Sequence, residues 1–151
     1  MLANIHVKNM ALIKEADISL GKGLNILSGE TGAGKSILLG SIAVALGLQN
    51  FKGFAREDAD YALSELVFVI ENEEQRQALL ELEIPVEDGE VIISRRLSKG
   101  RTTSKINGET VPVSMVRKAG TLLIDMVSMR ISLFYIFANI WNYSTILREK
   151  S

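Results

Sequence analysis

The sequence predicts an α/β fold in which a mixed sheet surrounds one central helix, and three observations predict it. Gly29-Glu30-Thr31-Gly32-Ala33-Gly34-Lys35-Ser36 satisfies the pattern G-x-x-x-x-G-K-[ST] of a phosphate-binding loop. The apolar run that ends at Leu27 before it reads as a buried strand. Ser36 to Leu46 after it reads as a helix, with Ile37, Leu38, Ile42, Ala45 and Leu46 on its apolar faces. Strand, glycine-rich loop and helix in that order are the context the pattern requires, so the fold class is that of a P-loop NTPase.

The chemistry follows from the loop. A chain that closes onto a helix N-terminus aims several unpaired N–H groups into one concavity, where the helix dipole adds partial positive charge. Gly29, Gly32 and Gly34 let the backbone approach an anion with no Cβ in the way. Glu30, Thr31 and Ala33 complete the cradle. Lys35 is the group for the β- and γ-phosphates, and the Ser36 hydroxyl is the expected ligand of Mg²⁺. The ligand predicted from these residues is a nucleoside triphosphate with its magnesium ion.

Length and composition set the frame. A chain of 151 residues fits one domain with a sizeable core. Its 47% hydrophobic and 23% charged residues are ordinary for a globular protein. A net charge of −1 gives no global attraction to nucleic acid, so any such contact has to come from a local patch. With no cysteine, disulfides and thiolate metal sites are excluded. The N-terminus lacks the basic-then-apolar build of a signal peptide, so a cytoplasmic location is expected. The lone histidine, His6, falls in the first expected strand and reads as structural.

Taken in order, Leu2 to Val7 alternates as a half-buried strand does, and Lys8-Asn9-Met10 suggests a turn. Ile13 to Leu20 reads as a second strand, and Gly21-Lys22-Gly23 as a tight connection. After the central helix, residues 47–60 read as a loop. Leu66 to Ile70 is a continuous apolar run expected of a central strand, within a strand over 63–71. Glu73 to Leu82 reads as a helix with Leu79, Leu80 and Leu82 on its apolar side. Val91 to Leu97 and Thr102 to Ile106 read as a hairpin across Ser98-Lys99-Gly100-Arg101, closed by Asn107-Gly108. Val113 to Ala119 reads as a short helix, and Leu122-Leu123-Ile124-Asp125 as another buried strand.

Two strands ahead of the phosphate loop is the order of ATP-binding cassette and SMC-type heads, and three stretches make the resemblance specific. They are Lys8-Asn9-Met10-Ala11-Leu12-Ile13, the run from Gly23 through Ser36 to Leu39, and Ile93-Ser94-Arg95-Arg96 through Lys105-Ile106-Asn107-Gly108. Together they resemble the N-terminal head segment of the RecN family, SMC-like ATPases of bacterial double-strand-break repair and recombination, over residues 1–125. The resemblance implies the N-terminal lobe of an ABC/SMC-type ATPase head, incomplete here, that binds ATP and Mg²⁺. It implies DNA as a partner of the full-length protein, a second head in a homodimer, a C-terminal lobe at the far end of a coiled coil, and no membrane. The family carries an acidic residue where this chain has Gly40. The family's glutamine loop, signature motif, acidic strand and catalytic glutamate would all follow residue 125, so ATP binding without hydrolysis is expected of this chain alone.

The tail, residues 126–151, departs from that pattern. Five of the nine aromatic residues (Phe134, Tyr135, Phe137, Trp141 and Tyr143) lie within it, and no acidic residue stands between Asp125 and Glu149. Ile131 to Leu147 is marginal as a membrane span, because Asn139, Asn142, Ser144 and Thr145 interrupt it. A reading-frame shift just after Asp125 accounts for the change. Read one base earlier, through synonymous codons for Val127 to Leu133, the same bases encode Gly-Gln-His-Glu-Asn-Gln-Ser, which resembles the family's glutamine loop. A genuine divergent tail is the other reading.

Three further features are candidates. Asp125 ends Thr121-Leu122-Leu123-Ile124-Asp125, read against the pattern of four apolar residues plus aspartate that holds Mg²⁺ in many P-loop enzymes, and would make this a self-sufficient small NTPase or kinase; the other reading is a core strand ending in aspartate. Glu71 after Leu66 to Ile70 raises the same question more weakly. Arg95, Arg96, Lys99, Arg101 and Lys105 crowd the hairpin, either as contacts to phosphates of DNA or of ATP across a head–head interface, or as solvated charge. No aromatic is interleaved with them in sequence, which argues against reading single strands. A non-functional truncated product, with unsatisfied sheet edges and apolar surface, is the remaining alternative.

Overall fold

The computed structural model describes residues 1–19 and 32–126, with backbone alone at 32–36 and 124–126. The phosphate loop's Gly29, Glu30 and Thr31, the strand expected before it, and the tail from Val127 lie outside the described residues.

Six strands form one sheet in the order β2-β1-β3-β4-β5-β6, and every described pairing is antiparallel. The strands are β1 (Leu2–Met10), β2 (Ile13–Ser19), β3 (Tyr61–Val69), β4 (Glu90–Ser98), β5 (Arg101–Ile106) and β6 (Glu109–Val111). Helices α1 (Gly32–Ala45), α2 (Glu73–Glu81) and α3 (Val113–Met126) complete the described elements. The run Leu66 to Ile70 is central as expected, but it is not buried on both faces. Along β3, Ala62, Ser64, Leu66 and Phe68 are buried while their neighbours are half exposed, the period of two that an antiparallel sheet with one covered face imposes.

The covered face carries Ile5, Val7 and Met10 of β1, Leu66 and Phe68 of β3, Val91 and Ile93 of β4 and Ile106 of β5. Helix α1 packs across it and, from Leu38 to Ala45, is buried on all sides. A helix apolar all round belongs inside a protein rather than on its surface. α2 lies at the margin, with Leu79 buried and Leu80 exposed, and starts at Asn72, whose Oδ1 accepts the N–H of Gln75.

Three corrections to the sequence reading stand out. Lys8-Asn9-Met10 is not the first turn: β1 continues to Met10 and the chain reverses at Ala11-Leu12. Asn107-Gly108 does not end the hairpin but is itself a tight turn into the added strand β6, both residues at positive φ. Leu122 to Asp125 is not a strand. α3 runs unbroken through it, because Val116, Ala119, Gly120 and Leu123 continue one buried helical stripe.

Candidate phosphate-binding helix and basic hairpin

Gly32, Ala33, Gly34, Lys35 and Ser36 of the phosphate-loop pattern form the beginning of α1. The first turn of α1 holds no acidic residue, so nothing within it neutralises the positive end of the helix. The start of α2 differs, with Glu73 and Glu74 in its first turn and an asparagine cap. The N-terminal turn of α1 thus has the character an anion requires, and that of α2 does not.

The far end of α1 is held by polar groups from three other elements. Gly47 takes φ +76° and closes the helix, its N–H donating to Val44 O at 3.1 Å while Leu48 N–H donates to Ala43 O at 2.9 Å. These are the two bonds of a Schellman cap. From β3, Ser64 Oγ donates to Ser41 O at 2.6 Å. From β4, Arg95 Nη1 donates to Val44 O at 2.7 Å and to Gln49 O at 3.0 Å, and its Nε donates to Ser104 Oγ at 3.2 Å. From α3, Arg117 Nε donates to Gly47 O at 2.8 Å. Cations at a helix C-terminus interact favourably with its dipole. Burial, and then the nearby charge of Arg117, lower the pKa of Arg95 below the usual arginine value.

Arg95 therefore does not stand with the other hairpin cations. The alternation of β4 turns it inward, buried, while Arg96 points outward and stacks on the Tyr61 ring, 4.3 Å from its centroid. Lys99 and Gly100 form the tight turn at the hairpin tip, both at positive φ, with Arg101 starting β5 and Lys105 exposed further along it. A cleft of about 650 Å³ opens between this tip and residues 50–62, with Lys52, Arg56, Asp60, Tyr61 and Lys99 among its walls. The strand period of two separates Arg95 from Arg96 and was readable from sequence. Tyr61, Lys52 and Arg56 were missed, because residues some 40 positions away in the chain meet the hairpin only once β3 pairs with β4.

Residues 47–60 are irregular, as expected, yet closely held. Ala11 N–H donates to Phe54 O, Arg56 N–H donates to Asn9 O at 3.0 Å, and Asn9 Nδ2 donates to Tyr61 O at 2.8 Å. Phe54 packs over Gly40, and a Cβ on Gly40 would stand 2.8 Å from two of its ring carbons and closer still to a third. The glycine at position 40 has a local reason: the Phe54 ring fills the space a side chain would need. Glu71 follows β3, exposed, and its N–H donates to Gln75 Oε1 at 2.8 Å. Asp125 lies on α3, so the acid-ended strand that a self-sufficient NTPase would need is absent from that position. Among the described residues no group of acidic or histidine side chains is arranged to hold a metal ion, and no helix is long and apolar enough to cross a membrane.

Known proteins resemble the chain at both levels. A family model described as an AAA domain matches residues 4–149. The DNA repair protein RecN of Bacillus subtilis is 34% identical over 128 residues, which is 83% of this chain and 22% of that protein. RecN of Vibrio cholerae is 34% identical over 127 residues, 83% of this chain and 23% of that protein. The chain thus spans under a quarter of the length of these relatives. Among solved structures, a chain from work on ATP-driven dimerization and DNA-stimulated activation of SMC ATPases superposes with a TM-score of 0.61 at 22% identity, covering 82% of this chain and 79% of that one. The Pyrococcus furiosus Smc head domain, solved with an extended coiled coil and the C-terminal domain of ScpA, gives 0.59 at 22% identity, covering 82% and 33%. At that identity the likeness speaks for the fold alone. The chain belongs to the AAA-domain family, as a RecN/SMC-like segment with the fold of the N-terminal lobe of a P-loop ATPase head.

Proposed function

We propose that the chain is the ATP-binding part of a RecN-like protein of DNA double-strand-break repair and that Gly29 to Ser36 hold the triphosphate. The observation that carries this reading is a complete phosphate-loop pattern running into a buried helix whose first turn is free of acidic side chains. The backbone N–H groups at the start of α1 orient the phosphates, Lys35 offsets their charge, and the Ser36 hydroxyl is the ligand for Mg²⁺. When bound, the ion neutralises charge on the phosphate oxygens. Arg96, Lys99 and Arg101, on or beside the outer face of the hairpin, are the proposed contacts to nucleic-acid phosphates or to a second head. Arg95, turned inward, is not among them.

We infer in addition that the chain binds nucleotide without turning it over. Phosphoryl transfer needs a group that places the attacking water, and the carboxylate that the sequence offered, Asp125, belongs to α3. Calorimetric titration with Mg²⁺-ATP, paired with a phosphate-release assay, tests both statements. Binding that weakens at least tenfold in Lys35→Ala, with no phosphate release from either protein, is expected. Equal affinity in the two proteins would sink the binding site, and Lys35-dependent release would sink the second statement alone.

A further inference from the structure

The apolar surface of α1 includes Gly40, Ala43, Val44 and Ala45, all buried and all small. Small apolar side chains fill volume without dictating one axial position of a helix. Hydrogen bonds to named carbonyls do dictate it, and α1 has three sets of them, from Ser64, Arg95 and Arg117, on three different elements. Arg95 is 7% exposed, and among the described residues no carboxylate pairs with it. An interior guanidinium held by backbone carbonyls stabilises a fold less than apolar packing of the same volume would. What it adds is direction: the donors of Arg95 reach Val44 O, Gln49 O and Ser104 Oγ together in one placement of the helix.

We propose that Arg95 and Arg117 are positioning residues for the phosphate-binding end of α1. By fixing the helix axially at its C-terminus, they set where the amide groups of Gly32 to Ser36 stand relative to the sheet. This rests on the nucleotide reading above. An α-helix is stiff along its axis and rises about 1.5 Å per residue, so a shift at Val44 arrives almost undiminished at its first turn. A misplacement of about 1 Å at a site built on fixed donors is enough to cost it most of its grip.

The test compares the wild-type chain with Arg117→Met, Arg117→Lys, Arg95→Met and Ile84→Val, the last a core substitution at a residue just after α2 whose backbone N–H donates to Leu79 O. Mg²⁺-ATP affinity is measured by calorimetry, and the amide resonances of Gly32 to Ser36 are followed by nitrogen-15 NMR in free and bound protein. Arg117→Met is expected to weaken binding on the order of tenfold and to shift those resonances. Arg117→Lys keeps a donor for Gly47 O and is expected to restore most of both. Ile84→Val is expected to lower the unfolding temperature and leave affinity and resonances unchanged. Should Arg95→Met not fold, Arg117→Met carries the test, because its side chain is exposed. The proposal is overturned if Arg117→Met leaves the resonances in place, or if Ile84→Val weakens binding as much. A wild-type chain that binds no Mg²⁺-ATP overturns the nucleotide reading instead, and the resonances of the free protein then decide the positioning role.

Discussion

Helices α1 and α3 are each 14 residues long, yet they are specified in opposite ways. From Leu38 to Ala45, α1 is enclosed on every side. α3 buries one stripe, Val116, Ala119, Gly120 and Leu123, and exposes Arg117, Lys118 and Thr121. In an enclosed helix the apolar periodicity fades, and the sequence signal moves to the punctuation: the glycine-rich pattern before it and Gly47 after it. In an amphipathic helix the periodicity is the signal, and it outweighs the look of any five residues inside.

The comparison breaks most visibly at Ile42, 1% exposed on α1. Ile42→Ala is expected to cost about 2–5 kcal/mol in urea unfolding, because the site is closed around it and cannot collapse. Lys118→Ala on the outer face of α3 is expected to stay within about 0.5 kcal/mol. A small effect at Ile42 would mean that α1 is a surface helix like α3.

The same contrast explains what could be read in advance. β3 was legible from its apolar run Leu66 to Ile70, and α1, α2 and the β4–β5 hairpin were legible because each pairs a hydrophobic pattern with a start or stop: Gly47 after α1, Asn72 before α2, Lys99-Gly100 in the hairpin. The end of α3 was not. Leu122-Leu123-Ile124-Asp125 taken alone has the look of a buried strand, although Val116, Ala119, Gly120 and Leu123 keep the i, i+3, i+4, i+7 spacing of one helix. Lys8-Asn9-Met10 suggests a turn in sequence, yet all three residues belong to β1. Asn9 does take φ +57°, but its side chain bonds to Tyr61 O, a partner 52 residues away. At the candidate site, the phosphate-loop pattern was plain from local spacing. The clamp on the far end of α1 was not, since its donors come from β3, β4 and α3 and no local pattern joins them.

Gly40 sharpens the comparison next. Gly→Ala inside a helix gains about 1 kcal/mol of propensity. Against that, the added methyl would overlap the Phe54 ring, and overpacking costs about 1–3 kcal/mol. Gly40→Ala should therefore lower stability by a net of about 1 kcal/mol, with the double variant Gly40→Ala/Phe54→Leu recovering part of the loss in the same unfolding assay. A stabilised Gly40→Ala would show that Phe54 moves aside at little cost.

α2 tests the third possibility, a helix held neither by enclosure nor by a wide stripe. Leu79 is its buried residue, so its cap should matter in proportion. Asn72→Ala removes the acceptor for Gln75 N–H and is expected to cost about 1 kcal/mol. Hydrogen exchange should locate that loss within Glu73 to Glu81, with β1 and β3 as protected as before.

The smallest effect is expected at Gly120, and there the two helices meet. A Cβ on Gly120 would stand 3.0 Å from Leu46 Cδ2 and 3.5 Å from Leu46 O, so glycine allows α3 to approach α1 closely. The nearest atom is the end of a leucine side chain rather than backbone or a ring, and it can yield by a few tenths of an ångström. Leu46 is 1% exposed, which limits how far it yields. The propensity gain of about 1 kcal/mol and the crowding cost are then of similar size, and Gly120→Ala is expected to shift stability by less than about 0.5 kcal/mol. If it costs as much as Gly40→Ala, the groove between the helices is as unyielding as the interior of α1, and Gly120 is there for packing. If it stabilises by the full propensity difference, Leu46 has room to spare, and α3 is set against α1 by the bond from Arg117 to Gly47 rather than by the close contact.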